Sequence, residues 1–396
     1  EALCSAGHVA EAVPLLLELA EKASKPSLAR RRRREAAEHL LVGGRRAEGL
    51  RVLAPLLAEF SLDYPETDRA AQIRMKEAIT RLTARGLQWT ERSLAELPGR
   101  EVERFEASWT LCKGAILADI VRGALFAVES AILALELGEP KGLARSLALA
   151  GAVALERGVA EGRTWLKAAG DIAAKIGDEE ALGFAAICWG LVLRGRGAWG
   201  QALGELEFGL SRMSAAAAWE QSLAAASLLA SLEALGEVAA LGIRSLKMCK
   251  LGQDIGSARM VGLGQVYGAW TALVGGEVPL CRSLLAEVVQ MQGEEMESLH
   301  IYALKVEVEC ALFVGDPAAA WRRVEDVWAA LERSRLLDAG LRRFVALSVR
   351  ARAGLALWAS NEACPQHVMD VVTQDIARLG REDSEHAMPT IHLLRA

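Results

Sequence analysis

The sequence predicts an all-α protein, an α-solenoid of antiparallel helical hairpins that repeats about every 39 residues and winds as a right-handed superhelix. Three observations predict it. Glycines recur on a steady beat, Gly158, Gly197, Gly236, Gly276 and Gly315 being separated by 39, 39, 40 and 39 residues. The chain is rich in Ala, Leu, Glu and Arg, all good helix formers. It shows neither sustained apolar/polar alternation nor an Asn-Gly or Asp-Gly turn.

Composition narrows the class further. The 396 residues are 52% apolar and 24% charged, which excludes a disordered chain and supports a sizeable core. Acidic residues outnumber basic ones 51 to 46, a net charge of −5 that argues against broad binding of nucleic acid. Seven cysteines, at 4, 112, 188, 249, 281, 310 and 364, include no CxxC. They read as scattered reduced thiols in a cytoplasmic protein rather than a disulfide or zinc framework. Glu1 to Gly7 has no signal-peptide pattern. The apolar run Ser222 to Leu232, bracketed by Glu220 and Glu233, falls far short of the ~20 residues of a membrane span, so no membrane partner is expected.

Three regions follow in order. Residues 1–60 hold N-terminal repeats with a truncated start, in which Gly7 and Gly44 are earlier members of the beat. Here Arg30 to Arg34 forms a basic run, but Glu35 and Glu38 stand four residues after Arg31 and Arg34. Opposite charges then face each other along a helix, so a solvated helix start outweighs a phosphate-binding patch. Residues 61–105 break the rhythm at Asp63-Tyr64-Pro65. A basic stretch through Arg69, Arg74, Lys76, Arg81 and Arg85 follows, then Pro98-Gly99, and the region reads as an irregular or elongated hairpin.

Residues 106–396 carry the regular repeats, with a truncated end. A second glycine series, Gly138, Gly177, Gly252 and Gly293, interleaves with the first about half a period away, so each unit is two helices joined by a turn. Glycine suits helix ends because it enters the left-handed conformation without strain. Small residues follow the turns: Ala10, Ala47, Gly200, Ala239 and Ala318 three positions on, and Ala12, Gly49, Ala202, Cys281 and Ala320 five positions on. They let the second helix press on the first. Trp199, Leu203, Leu206 and Leu210 share one helix side, while Ala181 to Leu193 is apolar nearly all round and must be covered by several neighbours. One unit cannot bury both faces, so units stack. The period exceeds that of the 34-residue tetratricopeptide unit and nears the lower edge of HEAT-type lengths. Both chain ends lack a capping pattern, and the residues read as an excerpt of a longer protein.

Chemistry signals are sparse. Gly195-Arg196-Gly197-Ala198-Trp199-Gly200 fits G-x-G-x-x-G, but a helix precedes it where a dinucleotide site needs a strand, so it reads as a turn. Gly262, Gly264 and Gly268 lie within a helical stretch and read as helix-contact positions. Histidines 8, 39, 300, 367, 386 and 392 show no ligand spacing. Glu179-Glu180 and Glu294-Glu295 open helices, where acids complement the helix dipole. No catalytic, cofactor-binding or metal-binding residue is assigned. Trp189, Tyr267 and Trp270 lie on first helices of middle units and are the candidate partner-binding residues, with core packing as the rival reading.

The order of Leu28-Ala29-Arg30 to Leu41, Ser108-Trp109, Asp119-Ile120-Val121-Arg122-Gly123-Ala124-Leu125-Phe126 and Val349-Arg350-Ala351-Arg352-Ala353 resembles a family of long bacterial proteins. These join an N-terminal serine/threonine kinase domain, an AAA/STAND-type ATPase module and a C-terminal tetratricopeptide-like region. The resemblance implies a non-catalytic scaffold in signal transduction, with ATP and Mg bound upstream and a protein, or the parent's own kinase and ATPase domains, as partner. None of the family's kinase or nucleotide-binding motifs occurs in these residues. The alternative is the sensor arm of a STAND/LuxR-type transcription regulator that binds a small inducer.

Overall fold

The computed structural model of the chain describes residues 9–43, 45–116, 119–214, 217–254, 257–291, 296–334, 336–338, 340–360, 364–381 and 388–396. Among them are nineteen α-helices and no strand. The chain divides into two compact units. Unit 1 is residues 1–194, 199–231 and 252–257, and unit 2 is residues 195–198, 232–251 and 258–396.

The first unit is built on α1 (Val9–Glu21), α2 (Pro26–Val42), α3 (Arg46–Glu59), α4 (Asp68–Arg85), α5 (Gly99–Ala115), α6 (Ile120–Leu137), α7 (Pro140–Glu156), α8 (Gly162–Ile176), α9 (Glu179–Gly195), α10 (Trp199–Leu210) and most of α11 (Ala218–Leu235). Helices pack on their sequence neighbours, α6 on α7 and α7 on α8, as an array of hairpins requires. Residues 61–105 depart from that order. There α4 packs on α6, while α5 packs on both α2 and α6, and a 3-10 turn at Leu94–Glu96 precedes α5. The buried Arg122 fixes the entry to α4: its guanidinium donates to the carbonyls of Pro65 and Glu66 at 2.7 and 2.8 Å and to Asp68 and Asp119 at 2.9 and 2.6 Å. Gly138 needs its glycine twice over. Its φ is +76°, and a Cβ there would stand 2.0 Å from the Thr90 carbonyl oxygen.

The second unit holds α12 (Val238–Asp254), α13 (Ala258–Val274), α14 (Val278–Met291), α15 (Ser298–Phe313), α16 (Pro317–Ser334), α17 (Gly340–Ala359), α18 (Gln366–Leu379) and α19 (Met388–Arg395). From α13 onward each helix packs on the next, and Cys249 and Ser245 of α12 lie against Val261 and Gly264 of α13. The first helices of successive hairpins also lie side by side, α13 on α15 and α15 on α17. A core of Ile301, Leu304, Trp321, Trp328, Leu347 and their neighbours runs through α15 to α19.

The glycine beat is a set of helix ends. Gly158, Gly197, Gly236, Gly276 and Gly315 all have φ between 73° and 80°, and Gly138 and Gly177 of the second series are left-handed as well. Gly252 differs: it lies inside the last turn of α12 rather than in a turn between helices. Gly7, Gly44 and Gly293 lie outside the described residues, as do Cys4, His8, His386, Glu294 and Glu295.

The small residues five positions after the beat, Ala12, Gly49, Ala202, Cys281 and Ala320, are all buried. Those three positions after it are not: Ala47, Gly200 and Ala239 are exposed and Ala318 is half-buried. The helix turns about 200° between these two positions, so only the later one faces its neighbour. In α10 the buried stripe is Ala202, Leu206 and Gly209, with Trp199, Leu203 and Leu210 half-buried beside it. The preceding α9 is enclosed almost all round, as its apolar sequence demands.

Candidate functional site

The three aromatic residues singled out by position take different roles. Trp189 of α9, in unit 1, is half-buried against the core, with the Arg163 guanidinium 5.5 Å from its ring centre. Tyr267 and Trp270 share α13 in unit 2. Tyr267 is 2% exposed and rests on the ring of Tyr302 at 6.0 Å, so it offers almost no surface to a partner. Trp270 is half-buried, and the Lys305 ammonium stands 5.1 Å from its ring centre.

Around Trp270 the first helices of unit 2 carry a ladder of charges. Lys305 of α15 is ion-paired with Glu233 at the end of α11. One turn further along α15, Glu309 accepts a hydrogen bond from Nη2 of Arg352 on α17 at 2.9 Å, and their ion pair closes to 2.6 Å at Nη1. Burial pushes the Glu309 carboxyl up and Glu233 adds repulsion, against the pull of Arg352 and Lys305. Two carboxylates and two cations therefore alternate along α11, α15 and α17, flanked by the rings of Trp270 and Tyr302. Such a face has no net charge. The Arg352 side of its pair is 51% exposed, while the Glu309 carboxylate beneath it is 10% exposed. The sequence signal for it is present but faint: Lys305 and Glu309 sit four residues apart on α15.

In unit 1 the corresponding helices close on themselves. Trp109 of α5 meets Phe184 of α9 and Trp219 of α11 edge-on at 6.3 and 6.1 Å, and the Trp219 indole donates to the Lys113 carbonyl at 3.2 Å. Arg145 of α7 pairs with the buried Glu220 and stacks over Trp109 at 5.8 Å. Aromatic rings fill the space between these helices.

The basic segments are engaged internally. Arg31 pairs with Glu35 at 2.9 Å and Arg34 with Glu38 at 3.1 Å, as their spacing predicts. The run is not the freely solvated helix start that the charge pattern alone implies. Arg30 reaches Glu103 on α5 and Arg34 reaches Glu106, and both are partly buried between helices. On α4, Arg74 pairs with Glu129 at 2.9 Å and Arg85 donates to the carbonyls of Gly86, Gln88 and Leu135.

Burial raises the Cys112, Cys188, Cys249 and Cys281 thiols, the last to about 12, so all four are neutral thiols at physiological pH. His300 caps α15, its Nδ1 accepting from the Glu297 amide at 3.0 Å. Glu179 and Glu180 open α9 and pair with Arg212 and Lys141. Gly197 turns the chain between two helices, so the G-x-G-x-x-G match is a helix–turn–helix segment. Among the described residues, no cluster of three or more His, Cys, Asp or Glu is arranged to hold a metal ion, and no helix is long and apolar enough to cross a membrane. No protein-family model matches the chain, and no curated protein matches it.

Proposed function

We propose that these residues form a non-catalytic helical scaffold that binds protein, either a separate partner or other domains of a longer parent chain. One observation carries this reading: the first helices of unit 2 present a partly open face where Trp270, Tyr302, Lys305, Glu309 and Arg352 interleave ring and charge. Stacked hairpins expose long arrays of side chains without a single cleft, a geometry suited to gripping a segment at several points. The resemblance to kinase-associated repeat regions supplies the second half of the proposal. In it the parent is a bacterial serine/threonine kinase with an ATPase module, the setting is cytoplasmic, and ATP and Mg are bound upstream.

The test is hydrogen exchange on the chain with and without the domains encoded in the same reading frame. Slowed exchange along α13 and α15 supports the proposal. Unchanged exchange throughout the chain, with each of those domains supplied at saturating concentration, removes the intramolecular form of it. The inducer-sensor reading stands second, because three rings occupy the space between the first helices of unit 1.

A further inference from the structure

A second surface of unit 2 carries a pattern of its own. Leu235, Val274 and Phe313 fall 39 residues apart, each at the C-terminal end of a first helix, and they are 42%, 50% and 59% exposed. Each stands one or two residues before a left-handed glycine, Gly236, Gly276 or Gly315. Immediately after those glycines come Glu237, Glu277 and Asp316, all exposed. Among the described residues, none of the three carboxylates has a cationic partner within 4 Å. The Asp316 carboxylate accepts a hydrogen bond from the Ala319 amide, at the start of α16. The next arginines along the second helices, Arg244, Arg282 and Arg322, come five to seven residues later, more than a helical turn from the edge.

Gly262 faces Leu299, Tyr267 rests on Tyr302 and Trp270 lies beside Lys305, so α13 and α15 run the same way, and the Lys305–Glu233 pair brings the end of α11 to the same row. Val274 and Phe313 therefore share one edge, with Glu277 and Asp316 beside them. Packed helices lie about 8–10 Å apart. An α-helix laid along such an edge offers an equivalent side chain every seven residues, or about 10.5 Å. The two spacings are close, and the carboxylates between the apolar points call for cations between the apolar residues of the occupant.

We propose that Leu235, Val274 and Phe313, interleaved with Glu237, Glu277 and Asp316, dock a basic amphipathic helix of a partner protein. The proposal rests on the scaffold reading and deepens it by naming the kind of segment bound and a surface distinct from the Trp270 face.

The probe is a labelled eighteen-residue Leu/Lys helix with leucine at heptad spacing and lysine between, set against the same helix with glutamate for lysine. Both are titrated into the full chain by fluorescence anisotropy. The Leu/Lys helix binds saturably and the Leu/Glu helix does not. Val274→Ser with Phe313→Ser, and separately Glu237→Lys with Glu277→Lys, each weaken binding at least tenfold while the circular dichroism and melting temperature hold. Failure of the Leu/Lys helix to bind overturns the proposal, as does equal affinity for both helices or binding indifferent to the four substitutions. Self-association of the wild type that F313S abolishes overturns it too, because a second copy then owns the edge. Exchange protection along α13 and α15 without peptide binding sinks this edge alone. Peptide binding without that protection sinks the Trp270 face and leaves the edge standing.

Discussion

Arg350 grips Asp375 with two parallel hydrogen bonds of 2.5 Å, from Nε to Oδ2 and from Nη2 to Oδ1, and lies 3.4 Å over the ring of Trp328. Asp375 is 0% exposed. Truncating either member leaves a charge buried without its partner, a loss of about 3–5 kcal/mol. Asp375→Ala is expected to lower the urea midpoint of the unfolding step that includes α17 to α19. The double change Arg350→Met with Asp375→Leu restores most of it, since packed apolar groups need no partner. Equal losses for the single and double variants would show that the pair is not coupled.

Leu206 is fully buried, and its side chain fills the groove that Gly190 leaves in α9. Leu206→Asp places a carboxylate between helices and is expected to cost several kcal/mol. Gln201→Asp, on the exposed side of the same helix, stays within about 0.5 kcal/mol. Thermal unfolding of the two variants side by side is the check, and equal melting temperatures would invert the face assignment.

Glu38 predicts an acid-sensitive contact between α2 and α5. Burial opposes its charge, but the Lys113 ammonium and the Arg34 guanidinium outweigh that and, with the Thr110 hydroxyl, hold the carboxyl down at about 2 against an ordinary 4.5. A carboxyl depressed in the folded state adds stability above its unfolded value, and that stability drains away as pH falls from 4.5 towards 2. The contribution at neutral pH is at most about 3 kcal/mol. Urea unfolding of Glu38→Gln against wild type should show a gap at pH 7 that narrows towards pH 2. A gap independent of pH would mean the carboxylate is not what the contact needs.

Two glycines of α13 should respond oppositely to alanine. A Cβ on Gly264 would meet the Cys249 sulfur at 2.5 Å and the Ser245 carbonyl oxygen at 2.7 Å, so Gly264→Ala forces two helices apart. The expected loss is about 1–3 kcal/mol. A Cβ on Gly268 finds only Leu284 at 3.6 Å and the Ser245 hydroxyl at 3.8 Å, an ordinary contact. Gly268→Ala is therefore expected to gain up to about 1 kcal/mol from helix propensity alone. Melting curves that move in the same direction for both would contradict the spacing between α12 and α13.

What was readable in advance divides along a physical line. Helix ends and close helix contacts depend on local backbone needs, so Gly158, Gly197 and Gly236 announced turns, and Ala202 and Ala320 announced packing seams. Gly252 misled because a glycine on the beat is tolerated within a last helical turn as readily as beyond it. Contacts that join distant stretches left little local trace. Nothing in the neighbourhood of Trp109 shows that it meets Trp219, or that Arg350 and Asp375 will pair. The Arg30–Arg34 run was legible for its i, i+4 pairs and opaque for Glu103 and Glu106, which come from another helix. Of the candidate site, Trp270 was marked by its position, whereas Arg352 belongs to the face only because α17 lies beside α15.

The contact of Trp109 with Trp219 has a mechanical consequence. It fastens α5 to α11, so a pull applied between those two helices has to part the two rings before it can separate the helices that lie between them in the chain. In unit 2 each hairpin leans on the next, and a tug there is taken up seam by seam, as in a stretched spring.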